Sequence, residues 1–82
     1  MLVSVIDMKL TGRNIASLRV QWGISVRELQ RMLGFATPQA IYKWQRGETL
    51  PTIENLIALA CILGVSMDEI LVSECRCAEK EI

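Results

Sequence analysis

Residues 25–47 read SVRELQRMLGFATPQAIYKWQRG, and the local grammar of that stretch decides the fold. Ser25 followed by Glu28 is a capping box, in which the serine oxygen and the glutamate carboxylate satisfy free backbone donors at a helix start. A short helix is predicted to follow, with Val26, Leu29, Met32 and Leu33 turned inward, and Gly34 closes it as a left-handed residue would. Thr37-Pro38 then reads as a cap plus a first helical residue, because proline's missing N–H would be unpaired there in any case. A further helix, Pro38 to Arg46, is stopped by Gly47.

Within the Pro38 to Arg46 helix Gln39, Lys43 and Arg46 fall at i, i+4 and i+7 on one face, with Tyr42 at its edge, while Ile41 and Trp44 fall opposite and anchor the helix to the body. Two short helices joined by a glycine-containing turn, the second with polar residues outward, form the unit that places a helix in a major groove. Glutamine pairs bidentately with adenine and lysine donates to guanine, each good contact giving on the order of 1–3 kcal/mol of discrimination.

The flanks extend the helical pattern. Thr11 can cap a first helix with Ile15, Leu18, Val20 and Trp22 on its apolar side, ended by Gly23. On the other side, Thr52 can cap a helix running to Leu63 whose Leu56 to Leu63 stretch is apolar all round, which predicts a central element or one lying partly in a subunit interface. Ser66 with Glu69 repeats the capping box and opens a short fifth helix, Met67 to Val72. Residues 1–10 alternate only raggedly and fit a short strand, an arm or a disordered lead-in. The expected organisation is an N-terminal arm or short strand over 1–10, a helix-turn-helix domain over 11–72 and a loose polar C-terminal tail over 73–82.

At 82 residues the chain is one domain. Hydrophobic residues make up 51% of it and the mean hydropathy is +0.32, so some apolar surface is expected to meet a second subunit. The formal net charge is zero, but it is unevenly spread. Residues 8–47 carry seven basic side chains against Glu28 alone, a net of +6, whereas residues 48–82 carry two against seven acidic ones, a net of −5. A basic half beside an acidic half suits a polyanion-binding face backed by a repelling one; ordinary solvated helix surfaces are the plainer explanation of the same pattern. Three cysteines leave one unpaired and make no disulfide framework, and a reducing compartment is expected. The apolar runs are too short for a secretory core or a membrane span.

The segments SVRELQRMLG, TPQAIYKWQRGETLP and TIENLIALACILGVSMDEIL resemble the lambda-repressor-like, or XRE-type, helix-turn-helix regulators, over roughly Thr11 to Leu71. That resemblance implies an all-α, compact five-helix domain, double-stranded DNA as ligand and a homodimer on a two-fold site. It implies that Gln39 and Lys43 occupy the main base-reading positions, with Pro38 and Tyr42 beside them. Thr37, Arg46 and the start of the second helix, Ser25 to Arg27, match phosphate-contacting positions. Arg19 matches a basic residue that in many members pairs with a glutamate late in the third helix; Gln45 stands there, so the ion pair cannot form and Arg19 is left for phosphate. Gln30 stands where alanine is common, and Phe35-Ala36 lengthens the turn by one residue, which bears on the angle of the third helix.

Other residues have plainer roles. Trp44 and Trp22 read as packing, Cys61 as a small core residue, and Cys75-x-Cys77 as free thiols, since two thiolates without further ligands do not complete a zinc site. With no histidine, no phosphate-cradling glycine loop and no nucleophile beside a base, an enzyme is not expected, nor a cofactor or metal. The expected function is that of a cytoplasmic, repressor-like, sequence-specific DNA-binding regulator. The alternative is a protein-binding module on the same fold, such as an antitoxin or regulatory adaptor.

Overall fold

A computed structural model describes residues 2–77. Helix α1 spans Met8–Gln21, α2 Val26–Leu33, α3 Gln39–Arg46, α4 Ile53–Leu63 and α5 Met67–Ile70, and they are flanked by strands β1 (Leu2–Ile6) and β2 (Ser73–Cys77). The strands pair antiparallel, with Leu2 opposite Cys77 and Ile6 opposite Ser73.

The core is a helical one: Ile15 of α1, Leu29 of α2, Ile41 and Trp44 of α3, Leu56, Leu59 and Leu63 of α4, and Ile70 of α5 are buried together. Both capping boxes form as the spacing predicts. Ser25 Oγ accepts from Glu28 N at 3.0 Å while Glu28 returns to Ser25 N, and Ser66 and Glu69 do the same for α5.

The first helix begins earlier than its apolar pattern implies. Asp7, not Thr11, is the N-cap, its carboxylate accepting from Leu10 N at 2.9 Å, because nothing in Met8-Lys9-Leu10 breaks a helix once an aspartate has captured the free donors. Thr11 is instead buried inside the first turn, and its hydroxyl accepts from Val72 N at 2.9 Å. With Asp7 N donating to Val72 O at 2.8 Å, this joins the ladder of β1 and β2 to the helices.

Residues 73–77, expected to be a loose tail, are the strand β2, since β1 supplies their backbone partners from the far end of the sequence. The rest of that predicted tail, 78–82, lies outside the described residues, and α5 ends at Ile70 rather than Val72.

Several apolar side chains expected inside are outside. The inward stripe of α2 runs through buried Leu29 and half-buried Val26, Gln30 and Leu33, which rotates Met32 outward to 59% exposure. Val20 is off the face defined by Ile15 and Leu18, and Trp22 projects past the last turn of α1; both are exposed. Cys61 is exposed as well, because α4 buries Leu56, Leu59 and Leu63 and turns Ile53, Ile57 and Cys61, at four-residue spacing, away from the core.

Candidate nucleic-acid interface

Helix α3 is oriented by what it buries. Ile41 is inaccessible and Trp44 nearly so, the latter meeting Phe35 of the preceding turn edge to face with ring centroids 5.8 Å apart. Gln39, Tyr42, Lys43 and Arg46 are consequently exposed, and together they line an open depression of about 330 Å³ on the outer side of α3. Two of its four walls carry a formal positive charge.

The start of α3 differs from its reading in the sequence. Pro38 is the N-cap rather than the first helical residue, its carbonyl receiving Tyr42 N at 3.2 Å, and no side chain caps the helix. The residue before a proline is driven from helical conformation, and proline itself has no side-chain acceptor, so Thr37 stays outside the helix with its hydroxyl uncommitted to a cap. Thr37 is exposed beside the open end of α3, where uncapped N–H groups and the positive dipole end favour an anion.

Around this helix the remaining predicted phosphate-contacting residues divide. Ser25 and Arg27 are exposed at the start of α2, although the Ser25 oxygen already accepts the cap hydrogen bond. Its partner Glu28 is held below the usual carboxylate range, first by the Ser25 backbone N–H and then by the Ser25 hydroxyl. Arg19, expected to be left free by the glutamine at position 45, is engaged: its Nε donates to Gln45 Oε1 at 3.1 Å and an amino group donates to Ile24 O at 2.9 Å. A neutral amide thus substitutes for the carboxylate as acceptor, so the guanidinium braces α1 against α3.

Gln30 has a comparable role in the lengthened turn. Its Nε2 donates to Phe35 O at 3.2 Å, satisfying a carbonyl that a smaller side chain would leave to water.

The exit from α3 brings in a residue that spacing along the helix did not single out. Gly47 is left-handed (φ 76°) and packs against Lys9, so that a side chain there would be both strained and obstructed. The turn sends Glu48 N back to Lys43 O at 2.9 Å and brings the Glu48 carboxylate to 2.5 Å from Arg46 Nε. That hydrogen bond holds Glu48 below the usual carboxylate range, with Lys43 adding to the effect, and it raises Arg46 further. Among the described residues no group of three or more histidine, cysteine or acidic side chains could hold a metal ion, and no helix is long and apolar enough to cross a membrane.

Comparison with known proteins gives this arrangement relatives. A family described as helix-turn-helix matches residues 15–70. The uncharacterized HTH-type transcriptional regulator y4dJ of Sinorhizobium fredii is 38% identical over 63 residues, which is 77% of this chain and 80% of that protein. Among solved structures, the restriction-modification controller protein C.AhdI from Aeromonas hydrophila superposes with a TM-score of 0.70 at 23% identity, over 78% of this chain and 96% of that one. The BldD DNA-binding domain of S. venezulae gives a TM-score of 0.68 at 24% identity, over 80% of this chain and 97% of its own. At those identities the two structures establish a shared fold.

Proposed function

We propose that this chain, which belongs to the helix-turn-helix family, is a sequence-specific double-stranded-DNA-binding transcriptional regulator, repressor-like and cytoplasmic, that acts as a homodimer and without catalysis. The observation that carries the proposal is the division of α3: Ile41 and Trp44 are buried while Gln39, Tyr42, Lys43 and Arg46 surround an open depression on the opposite side. Gln39 and Lys43 are assigned to base edges with Pro38 and Tyr42 beside them, and Thr37, Arg46, Ser25 and Arg27 to phosphate. Arg19 acts on DNA indirectly, by holding α1 to α3 through Gln45.

One copy offers one recognition helix and so one half-site; two copies lengthen the site and raise affinity. Exposed Ile53 and Ile57 on α4, and Val5, Ile6 and Leu10 near the ladder, supply apolar surface for that pairing. Light scattering is expected to give a dimer, and a monomer at high concentration would remove this part of the proposal.

The deciding experiment is selection of bound sites from a random duplex pool, followed by fluorescence polarisation on the winning site at low and high salt. A defined sequence should emerge, and affinity should fall steeply with salt as phosphate contacts release counterions. The same exposed apolar side chains favour the second reading, an antitoxin or adaptor that binds a protein; absence of any enriched sequence would favour it over the first.

A further inference from the structure

Arg46 and Glu48 form an ion pair at the rim of the depression on α3, and this pair is difficult to explain by stability. The side chains are 57% and 49% exposed, and an ion pair so open to water adds little to stability. The geometry is nevertheless specific. Gly47 reverses the chain, Glu48 N closes onto Lys43 O, and the carboxylate is delivered to Arg46 Nε at 2.5 Å. Residues 8–47 hold only one carboxylate, Glu28, and that one is turned back onto its own helix cap. Glu48 therefore brings a negative charge to the edge of a face otherwise furnished with Lys43 and Arg46.

A DNA phosphate and the Glu48 carboxylate compete for the same guanidinium. While Glu48 holds Arg46, the Nε is occupied, and the carboxylate repels a phosphate approaching the same guanidinium. The affinity lost is of the kind that every DNA sequence shares, because sequence-independent binding is set by the number of phosphates neutralised. Base contacts from Gln39 and Lys43 are not reduced by it in the same way.

We propose that Glu48 sets the level of affinity for DNA as such: it competes with phosphate for the Arg46 guanidinium and so weakens binding to random and selected sequence alike. The proposal rests on the DNA-binding reading above.

The test compares wild type, Glu48→Gln, Arg46→Gln and the double variant by polarisation, on a labelled random-sequence duplex and on the selected site, across a salt series. Circular dichroism confirms that each is folded. Glu48→Gln is expected to bind random duplex on the order of threefold more tightly, with a log–log salt slope steeper by about 0.9, the value of one additional phosphate contact. Its preference for the selected site over random duplex should stay unchanged, because the gain is common to both probes. The gain should vanish in the Arg46→Gln background, since the competition needs that guanidinium. Equal or weaker random-duplex binding by Glu48→Gln overturns the proposal and leaves the DNA-binding reading intact. A gain that persists without Arg46 overturns it too, because it reduces the effect to net charge. Absence of duplex binding by every variant, on either probe, removes both.

Discussion

Gly12 of α1 lies directly against the carbonyl oxygen of Trp44 in α3, so closely that a side-chain carbon at position 12 would overlap that oxygen and stand 2.8 Å from Gln45 O. The absent side chain is what lets two helices cross at backbone contact. Because Trp44 sits one residue after Lys43 and two before Arg46, this crossing also sets how far α3 stands out from the body.

Gly12→Ala is accordingly expected to force α1 and α3 apart. Overpacking of this kind costs about 1–3 kcal/mol, and more where the obstacle is backbone that cannot rotate away. For a domain of this size each kcal/mol lowers Tm by roughly 4–8 °C. A thermal melt indistinguishable from wild type would contradict the crossing.

Trp44→Ala removes the largest side chain in the core and should destabilise by about 3–5 kcal/mol. Part of that belongs to Phe35, which meets the Trp44 ring edge to face. A double-mutant cycle with Phe35→Leu is expected to return a coupling of about 0.5–1.5 kcal/mol. Additive losses would mean that the two rings only share a neighbourhood.

Asn14 takes the place of a C-terminal cap for α5, its Nδ2 donating to Glu69 O at 2.6 Å and Ile70 O at 2.9 Å. Asn14→Ala hands these partly open carbonyls to water, a loss of about 0.5–1.5 kcal/mol. Amide exchange of Ile70 and Leu71, measured by NMR, should accelerate more than that of α3.

Acid should weaken the fold slightly through the Glu28 cap. Its carboxylate is held below the ordinary value of 4.5 in the folded chain, by the Ser25 backbone N–H and then the Ser25 hydroxyl. Its contribution is therefore fully present above that value and is lost as pH falls through the lower folded one. Glu28→Gln keeps a capping side chain that does not titrate, so its Tm should decline less than wild type over the same acid range.

Gln39→Ala and Lys43→Ala truncate exposed side chains and should leave Tm within about 0.5 kcal/mol equivalent of wild type. On DNA each is expected to relax discrimination at its own base position by about 1–3 kcal/mol. A large loss of stability in either would show that this side of α3 supports the fold.

Sequence alone determined several features that depend on residues three or four apart. The boxes at Ser25 and Ser66, the glycine stops after α2 and α3, and the burial of Ile41 and Trp44 beneath Gln39, Lys43 and Arg46 are set within one or two helical turns, so spacing reveals them. Tertiary structure decided everything that needed a partner from elsewhere in the chain. Residues 73–77 became a strand because β1 meets them, Thr11 became a buried acceptor because Val72 passes over it, and Arg19 found Gln45 across a helix crossing permitted by Gly12. The outward turn of Met32, Trp22 and Cys61 has the same origin: periodicity defines an apolar side, but only packing selects which part of that side a neighbouring helix covers.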